Sequence, residues 1–209
     1  MPDIFSRSGF PHAYEIILKL PVIRSIRAQE QQLIRYILDE NLRPGDEVLE
    51  IGAGTGYYSF EIARRCRQVV ALERSPGMAR ILKGRIASAN VTNMRLVECD
   101  FLAYRRETGF DVVATIGVLD GVEDWQSFLD RCISLARKWV IFTVPQAGLW
   151  GSIYGLFGRM SRSPIRIFHS EELVSYLNGN RTRLYETGLR TRFTRGLTLI
   201  VVIETNAAM

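Results

Sequence analysis

The feature that most constrains this chain is the run Val48-Leu49-Glu50-Ile51-Gly52-Ala53-Gly54-Thr55-Gly56, a short apolar strand that breaks into three alternate glycines. Glycine has no Cβ and reaches φ > 0, so backbone built this way turns sharply and passes close under a ligand. The next residues, Tyr57 to Arg65, read as a helix. Strand, glycine turn and helix open a doubly wound α/β sheet, in which ligands sit beyond the carboxyl ends of the strands. The spacing is G-x-G-x-G rather than the G-x-G-x-x-G of a dinucleotide site. Glu50 stands two residues before the first glycine. An acid there repels a pyrophosphate at the helix start and favours a cationic ligand.

S-adenosylmethionine carries a sulfonium and an ammonium and no phosphate, so it suits such a turn. The segment resembles motif I of the class I methyltransferases, and the chain is similar to that family from about Pro44 to Glu204. Gln68 to Glu73 reads as a second buried strand ending in an acid, where Rossmann-like folds place the carboxylate that holds ribose hydroxyls. Ser75 and Pro76 then start a helix as cap and first residue. Met78 lies in its first turn, where the family often sets a Met against the adenosine. A third strand, Met94 to Cys99, leads to Asp100-Phe101. The resemblance implies an acid that accepts from the adenine amino group and a neighbour that covers the ring.

The fourth strand, Phe110 to Thr115, opens into Ile116 to Trp125, the loop that runs beside the reactive methyl group in the family. The resemblance therefore implies cofactor contacts from Glu50, Gly52, Gly54, Gly56, Glu73, Met78, Asp100, Phe101 and Ile116, with Asp120 facing the acceptor. It also implies a Rossmann-like fold: a seven-stranded, mostly parallel sheet, helices on both faces, last strand antiparallel. The loop contains no Asn-Pro-Pro-Tyr, Asn-Leu-Pro-Tyr or Pro-Cys. That argues against the enzymes acting on N6 of adenine, on ribosomal RNA dimethyladenosine and on cytosine.

At 209 residues and 47% hydrophobic content the chain fits one domain, 1–209, with residues 1–42 as an N-terminal helical cap. Residues 1–12 lack periodicity and read as a mobile arm, Tyr14 to Leu20 as a short helix stopped by Pro21, and Arg24 to about Asn41 as a longer one. Tyr14 is either a cofactor contact or a ring packed on the sheet. The net charge is +5, with arginine concentrated late, from Arg159 to Arg195. Such a surface suits an anionic partner or is simply solvated, and nucleic acid is not the expected partner. Cys66, Cys99 and Cys132 share no metal or redox spacing and read as buried thiols in helix, strand and helix. No apolar run approaches about 20 residues, and no leader pattern opens the chain, so a soluble cytoplasmic protein without a metal is expected.

A fifth strand, Trp139 to Val144, ends at Pro145. The following stretch, 146–169, reads as a substrate lid: Trp150, Ile153, Tyr154 and Phe157 share a helical face, Gly151, Gly155 and Gly158 loosen it, and Arg159, Arg162 and Arg166 suit an acidic head group or an anionic membrane surface. Ser170 is placed to cap a helix from Glu171 to Leu177, and Arg183 to Phe193 with Gly196 to Glu204 reads as a terminal hairpin.

A sulfonium methyl is already electrophilic, so catalysis rests on positioning, worth up to about 7–11 kcal/mol. A base adds about 10²–10⁴-fold, with Asp120 and His169 as candidates. The expectation is methyl transfer from S-adenosylmethionine, leaving S-adenosylhomocysteine, to an O or N atom of a small amphiphilic or apolar molecule such as a quinone, a phospholipid amine or a porphyrin. A methyltransferase acting on RNA or protein, and a relative that binds the cofactor without transfer, are the alternatives. Oligomeric state is not legible.

Overall fold

The computed structural model describes residues 21–147, 165–178, 181–187 and 198–205. The first helix, α1 (Pro21–Asn41), begins three residues before Arg24, with proline at the position where a missing N–H costs nothing. Its buried residues Ile34, Ile37 and Leu38 follow i, i+3, i+4 spacing. The chain then turns at Asp46, whose Oδ2 accepts from the Arg43 N–H at 2.7 Å. Next come β1 (Glu47–Ile51), α2 (Tyr57–Ala63), β2 (Gln68–Glu73), α3 (Pro76–Ser88), β3 (Met94–Glu98) and β4 (Phe110–Thr115). A single 3-10 turn, Leu119–Gly121, precedes α4 (Trp125–Leu135) and β5 (Ala136–Pro145). After α5 (Ser170–Tyr176) the antiparallel pair β6 (Arg181–Thr187) and β7 (Thr198–Glu204) closes the sheet.

The sheet has seven strands in the order β3-β2-β1-β4-β5-β7-β6. Neighbours among β1 to β5 pair in parallel, and β7 runs antiparallel to both β5 and β6. Parallel strands covered on both faces read as continuous apolar runs, which is why Val69-Val70-Ala71-Leu72 and Val112-Val113-Ala114 show no alternation. One face, with Leu49, Leu72, Val113, Val140 and Phe142, packs on Phe128, Leu129 and Cys132 of α4. The other, with Val48, Val69, Val112, Ala114 and Ile141, packs on α1, Ile62 of α2 and Leu82 of α3.

Several boundaries differ from the sequence reading. The helix after the glycine turn ends at Ala63, not Arg65. β5 starts at Ala136, which pairs with Phe110, and Arg137-Lys138 fall in the register shift before Trp139 pairs with Val112. His169, not Ser170, occupies the capping position of α5, and no side-chain hydrogen bond caps that helix. β6 begins at Arg181, while residues 188–197 of the expected hairpin lie outside the described residues. Cys66 sits in the turn after α2 and Cys99 in the bend after β3, with Cys132 inside α4. All three are free thiols, and burial pushes Cys66 up to about 12. Among the described residues no helix is long and apolar enough to cross a membrane.

Candidate active site

The order of strands reverses between β1 and β4, and the loops leaving their carboxyl ends diverge to opposite faces of the sheet. That divergence opens the crevice where such folds bind ligands. Glycines with positive φ line it from both sides: Gly52 (73°), Gly54 (58°) and Gly56 (90°) after β1, and Gly117 (71°) after β4. Their reasons for being glycine differ. A Cβ on Gly52 would stand 2.3 Å from Cγ2 of Val118 in the loop after β4, and one on Gly56 would stand 2.4 Å from Cδ1 of Leu82 on α3. Both positions are therefore fixed by the packing of this chain on itself. Gly54 and Gly117 would meet nothing within 4 Å. Of the motif's three glycines, Gly54 is the one over which a ligand can approach.

Two backbone bonds set the turn, since the N–H groups of Gly52 and Ala53 both donate to the Leu72 carbonyl at 2.9 Å. Glu73, at the end of β2, then pins it from the side. Its Oε2 accepts from the Gly54 N–H and its Oε1 from the Ser75 N–H, each at 2.7 Å. A carboxylate offers about four lone-pair sites, so both oxygens retain acceptor capacity. The buried carboxylate is thus oriented before any ligand arrives.

Glu50 lies one strand inward, 3% exposed, between Ala71 and Ala114 of the neighbouring strands. Among the described residues its Oε2 has no hydrogen-bond partner, and neither has the fully buried Ser59 hydroxyl of α2. Burial drives the carboxyl up to about 7; Ser59 lowers it in part without closing a bond of good geometry, and the Glu73 charge raises it again. A buried carboxyl with an unsatisfied oxygen is costly to the fold, at about 1–3 kcal/mol or more for a charged group.

At the end of β3, Asp100 accepts from the Leu102 N–H at 2.8 Å and is about half exposed, with Arg74 only at 3.8 Å. Phe101 is 5% exposed and packs edge-on against Phe128 at 4.8 Å, with the Arg131 guanidinium over its ring at 4.9 Å, so most of the ring lies in the core. Met78 and Ile116 are half-buried, the latter packed against the core on the α1, α2 and α3 face. Thr143 of β5 accepts from the Gly117 N–H at 2.8 Å and so orders the turn after β4. The sequence reading passed over Thr143, although a hydroxyl in an otherwise apolar strand was a signal.

The two candidate bases fall on neighbouring segments. The Asp120 carbonyl accepts from the Arg166 N–H at 2.8 Å, and two residues on the Phe168 N–H donates to the Pro145 carbonyl at 2.9 Å. Phe168 is buried, edge-on to Trp125 at 5.4 Å. His169 follows it and is exposed. Arg166, one of the three lid arginines, is paired with Glu172 at 2.5 Å and lies over the Trp125 and Phe168 rings, which leaves it anchored to the domain rather than offered outward. Tyr14, Trp150 and the remaining lid residues from 148 to 164 lie outside the described residues.

A mostly parallel sheet in this order, with a glycine turn after β1, an acid after β2 and an acid after β3, defines the class I S-adenosylmethionine-dependent methyltransferase fold. Residues 48–138 match the family described as a methyltransferase domain. The magnesium protoporphyrin IX methyltransferase of Synechocystis PCC 6803, solved with bound S-adenosylhomocysteine, superposes with a TM-score of 0.74 at 21% identity, covering 98% of this chain and 97% of that one. A protein-L-isoaspartate O-methyltransferase of Rhodopseudomonas palustris (strain BisA53) is 31% identical over 104 residues, 49% of this chain and 45% of that protein. An rRNA adenine N-6-methyltransferase of Limosilactobacillus reuteri is 35% identical over 65 residues, 31% of this chain and 26% of that protein. The chain thus spans less than half the length of these two curated relatives.

Proposed function

We propose that this protein transfers the methyl group of S-adenosylmethionine to an oxygen or nitrogen of a small molecule with an apolar or amphiphilic body. The observation that carries the reading is Glu50, whose buried oxygen has no partner among the described residues, in the strand that ends under the open space at Gly54. A buried acid of this kind matches an ammonium and rejects a phosphate.

The bound cofactor supplies an electrophilic sulfonium methyl, so the chain contributes binding, orientation and exclusion of water. In this reading Glu50 meets the ammonium, and Glu73 gives its remaining lone pairs to the two ribose hydroxyls. Gly54 lets the ligand lie close to backbone. Asp100 accepts from the adenine amino group, and Met78 and Ile116 flank the nucleoside. Asp120 holds the acceptor's polar group or takes its proton, with His169 as the other candidate base. Residues 1–42 act as a cap and 146–169 as the lid.

The amphiphilic acceptor draws on the apolar run Trp150, Ile153, Tyr154 and Phe157 and on the likeness to an enzyme named for a porphyrin. A second reading, a macromolecular acceptor, is favoured by the protein- and rRNA-directed names of the curated relatives. Labelled S-adenosylmethionine incubated with fractionated cell extract separates the two. Label in the organic-soluble small-molecule fraction is expected. Label confined to RNA or protein would replace the small acceptor with a macromolecular one, and cofactor binding with no transfer to any fraction would leave a binding protein. Sedimentation with anionic liposomes tests peripheral membrane contact separately.

A further inference from the structure

Away from the crevice, helices α2 and α3 leave a groove of about 410 Å³ between their outer faces. One stripe of each helix lines it: Tyr57, Phe60, Glu61 and Arg64 at i, i+3, i+4, i+7 on α2, and Arg85, Ser88 and the adjoining Ala89 on α3. The charge around it is unbalanced. Arg35, Arg64 and Arg65 all meet Glu61, at 3.2, 3.4 and 2.9 Å, and Arg65 also meets Asp39 at 2.6 Å. The groove's own lining thus holds two guanidinium groups, Arg64 and Arg85, and one carboxylate, Glu61, which Arg35 and Arg65 also neutralise from outside it. Arg64 keeps 70% of its side chain exposed, with Glu61 as its acid partner. Arg85 is fixed by one nitrogen, Nη1, which donates to the Thr55 carbonyl at 2.9 Å. Its remaining N–H donors point to a ligand that accepts several bonds at once. Beside them stands Tyr57, 43% exposed for so large an aromatic, its hydroxyl accepting from Arg35 at 3.2 Å and its ring held edge-on to Tyr58 at 5.0 Å. A ring steadied in this way presents a stacking platform next to a cationic pair.

From this juxtaposition we infer that the α2–α3 groove binds a nucleotide, its phosphate on Arg64 and Arg85 and its base on Tyr57. Guanidinium forks match phosphate oxygens in geometry, and base–aromatic stacking tolerates any base because every base has a π-face. The site is separate from the crevice, since none of its lining residues belongs to the acids and open glycines described above. It is nevertheless tied to the crevice through Arg85 and the carbonyl of Thr55 in the glycine turn. A free mononucleotide and one unit of a single strand offer the same chemistry.

The test uses the full chain saturated with S-adenosylhomocysteine, which keeps the cofactor crevice out of the readout and makes the result independent of methyl transfer. Fluorescein-labelled decauridylate is titrated by anisotropy, with uridine monophosphate and inorganic phosphate as competitors. Strand binding is expected, weakened about tenfold by Arg64→Glu and by Tyr57→Ala. Affinity for S-adenosylhomocysteine should stay unchanged in Arg64→Glu. Competition by millimolar uridine monophosphate, and not by phosphate alone, would identify a free nucleotide as the ligand; competition by neither would identify the strand. No binding of any probe would overturn the inference. So would binding that both variants leave within about twofold, since the strand would then lie on another basic surface.

Discussion

At the amino edge of the sheet the acids meet cationic side chains, whereas at the carboxyl edge they meet backbone N–H groups or have an oxygen with no partner among the described residues. Asp46, 1% exposed, takes Lys138 at 2.6 Å; Glu47 takes Arg106 at 3.0 Å; Asp111 takes Lys138 at 3.2 Å and Arg137 at 3.3 Å. Burial pushes the Asp111 carboxyl up, but the Glu47 N–H, Arg137 and Lys138 together hold it below the usual range. Across the sheet, Glu73 is held by the Gly54 and Ser75 N–H groups, Asp100 accepts from the Leu102 N–H with Arg74 only at 3.8 Å, and Glu50 has an oxygen with no partner among the described residues. The same residue types thus serve opposite ends. Neutralised acids tie strands together, while acids kept from cations in a buried crevice raise the free energy of the empty fold and return it when a cation arrives.

The comparison breaks most sharply at Gly54. Gly54→Val forces a β-branched residue into φ +58° and puts its side chain where a ligand approaches, so affinity for S-adenosylhomocysteine by titration calorimetry should fall more than about 100-fold. Unchanged affinity would reduce the motif to a turn.

Glu50 gives the next largest effect, and its sign depends on pH. A carboxyl raised from 4.5 to about 7 in the fold stabilises fully below the unfolded value, and that contribution is lost as pH rises through about 7. At pH 8 the ionised group then costs on the order of 3 kcal/mol. Glu50→Gln should therefore raise the chemical-denaturation stability of the cofactor-free protein at pH 8 and do little at pH 4. Cofactor affinity should rise with pH through about 7 in the parent protein and stay weak and flat in the variant.

Glu73→Ala removes the carboxylate that accepts from the Gly54 and Ser75 N–H groups as well as the proposed ribose partner, and cofactor binding should weaken by about 1.5–3 kcal/mol, again read by calorimetry. Lys138→Met sharpens the contrast from the other edge. It should lower stability by about 1 kcal/mol, a modest figure because the lysine is half exposed, and leave cofactor affinity unchanged. Asp120→Asn should be the mildest for the cofactor, with no measurable change in its affinity, and should act only on turnover once an acceptor is in hand. If turnover is also unaffected, Asp120 is not the acceptor-facing acid.

The carboxyl edge from β1 to β3 was legible in its layout because each feature is local. Gly54, Glu73 and Asp100 each lie within a few residues of the end of their own strand. The region after β4 was harder to read. Asp124 caps the following helix by accepting from the Ser127 N–H at 3.1 Å, and His169, not Ser170, stands at the next helix start. The place of His169 follows from how the segment 165–168 lies against Pro145 and Asp120, a pairing between residues some 20 to 50 positions apart.

By itself the sequence determined the strands, their burial on two faces, the turn after β1 and the row of acids at successive strand ends, because period and glycine placement act over a few residues. Only the tertiary structure decided which glycines are packed against the chain and which face open space, since Val118 and Leu82 arrive from other elements. It also decided that Phe101 belongs to the core, that Asp46 is neutralised by Lys138 from β5, and that Glu50 keeps an oxygen with no partner among the described residues. Each of these is a contact between residues distant in the chain, and the free energy of such a contact is set by what else is packed there rather than by residue type.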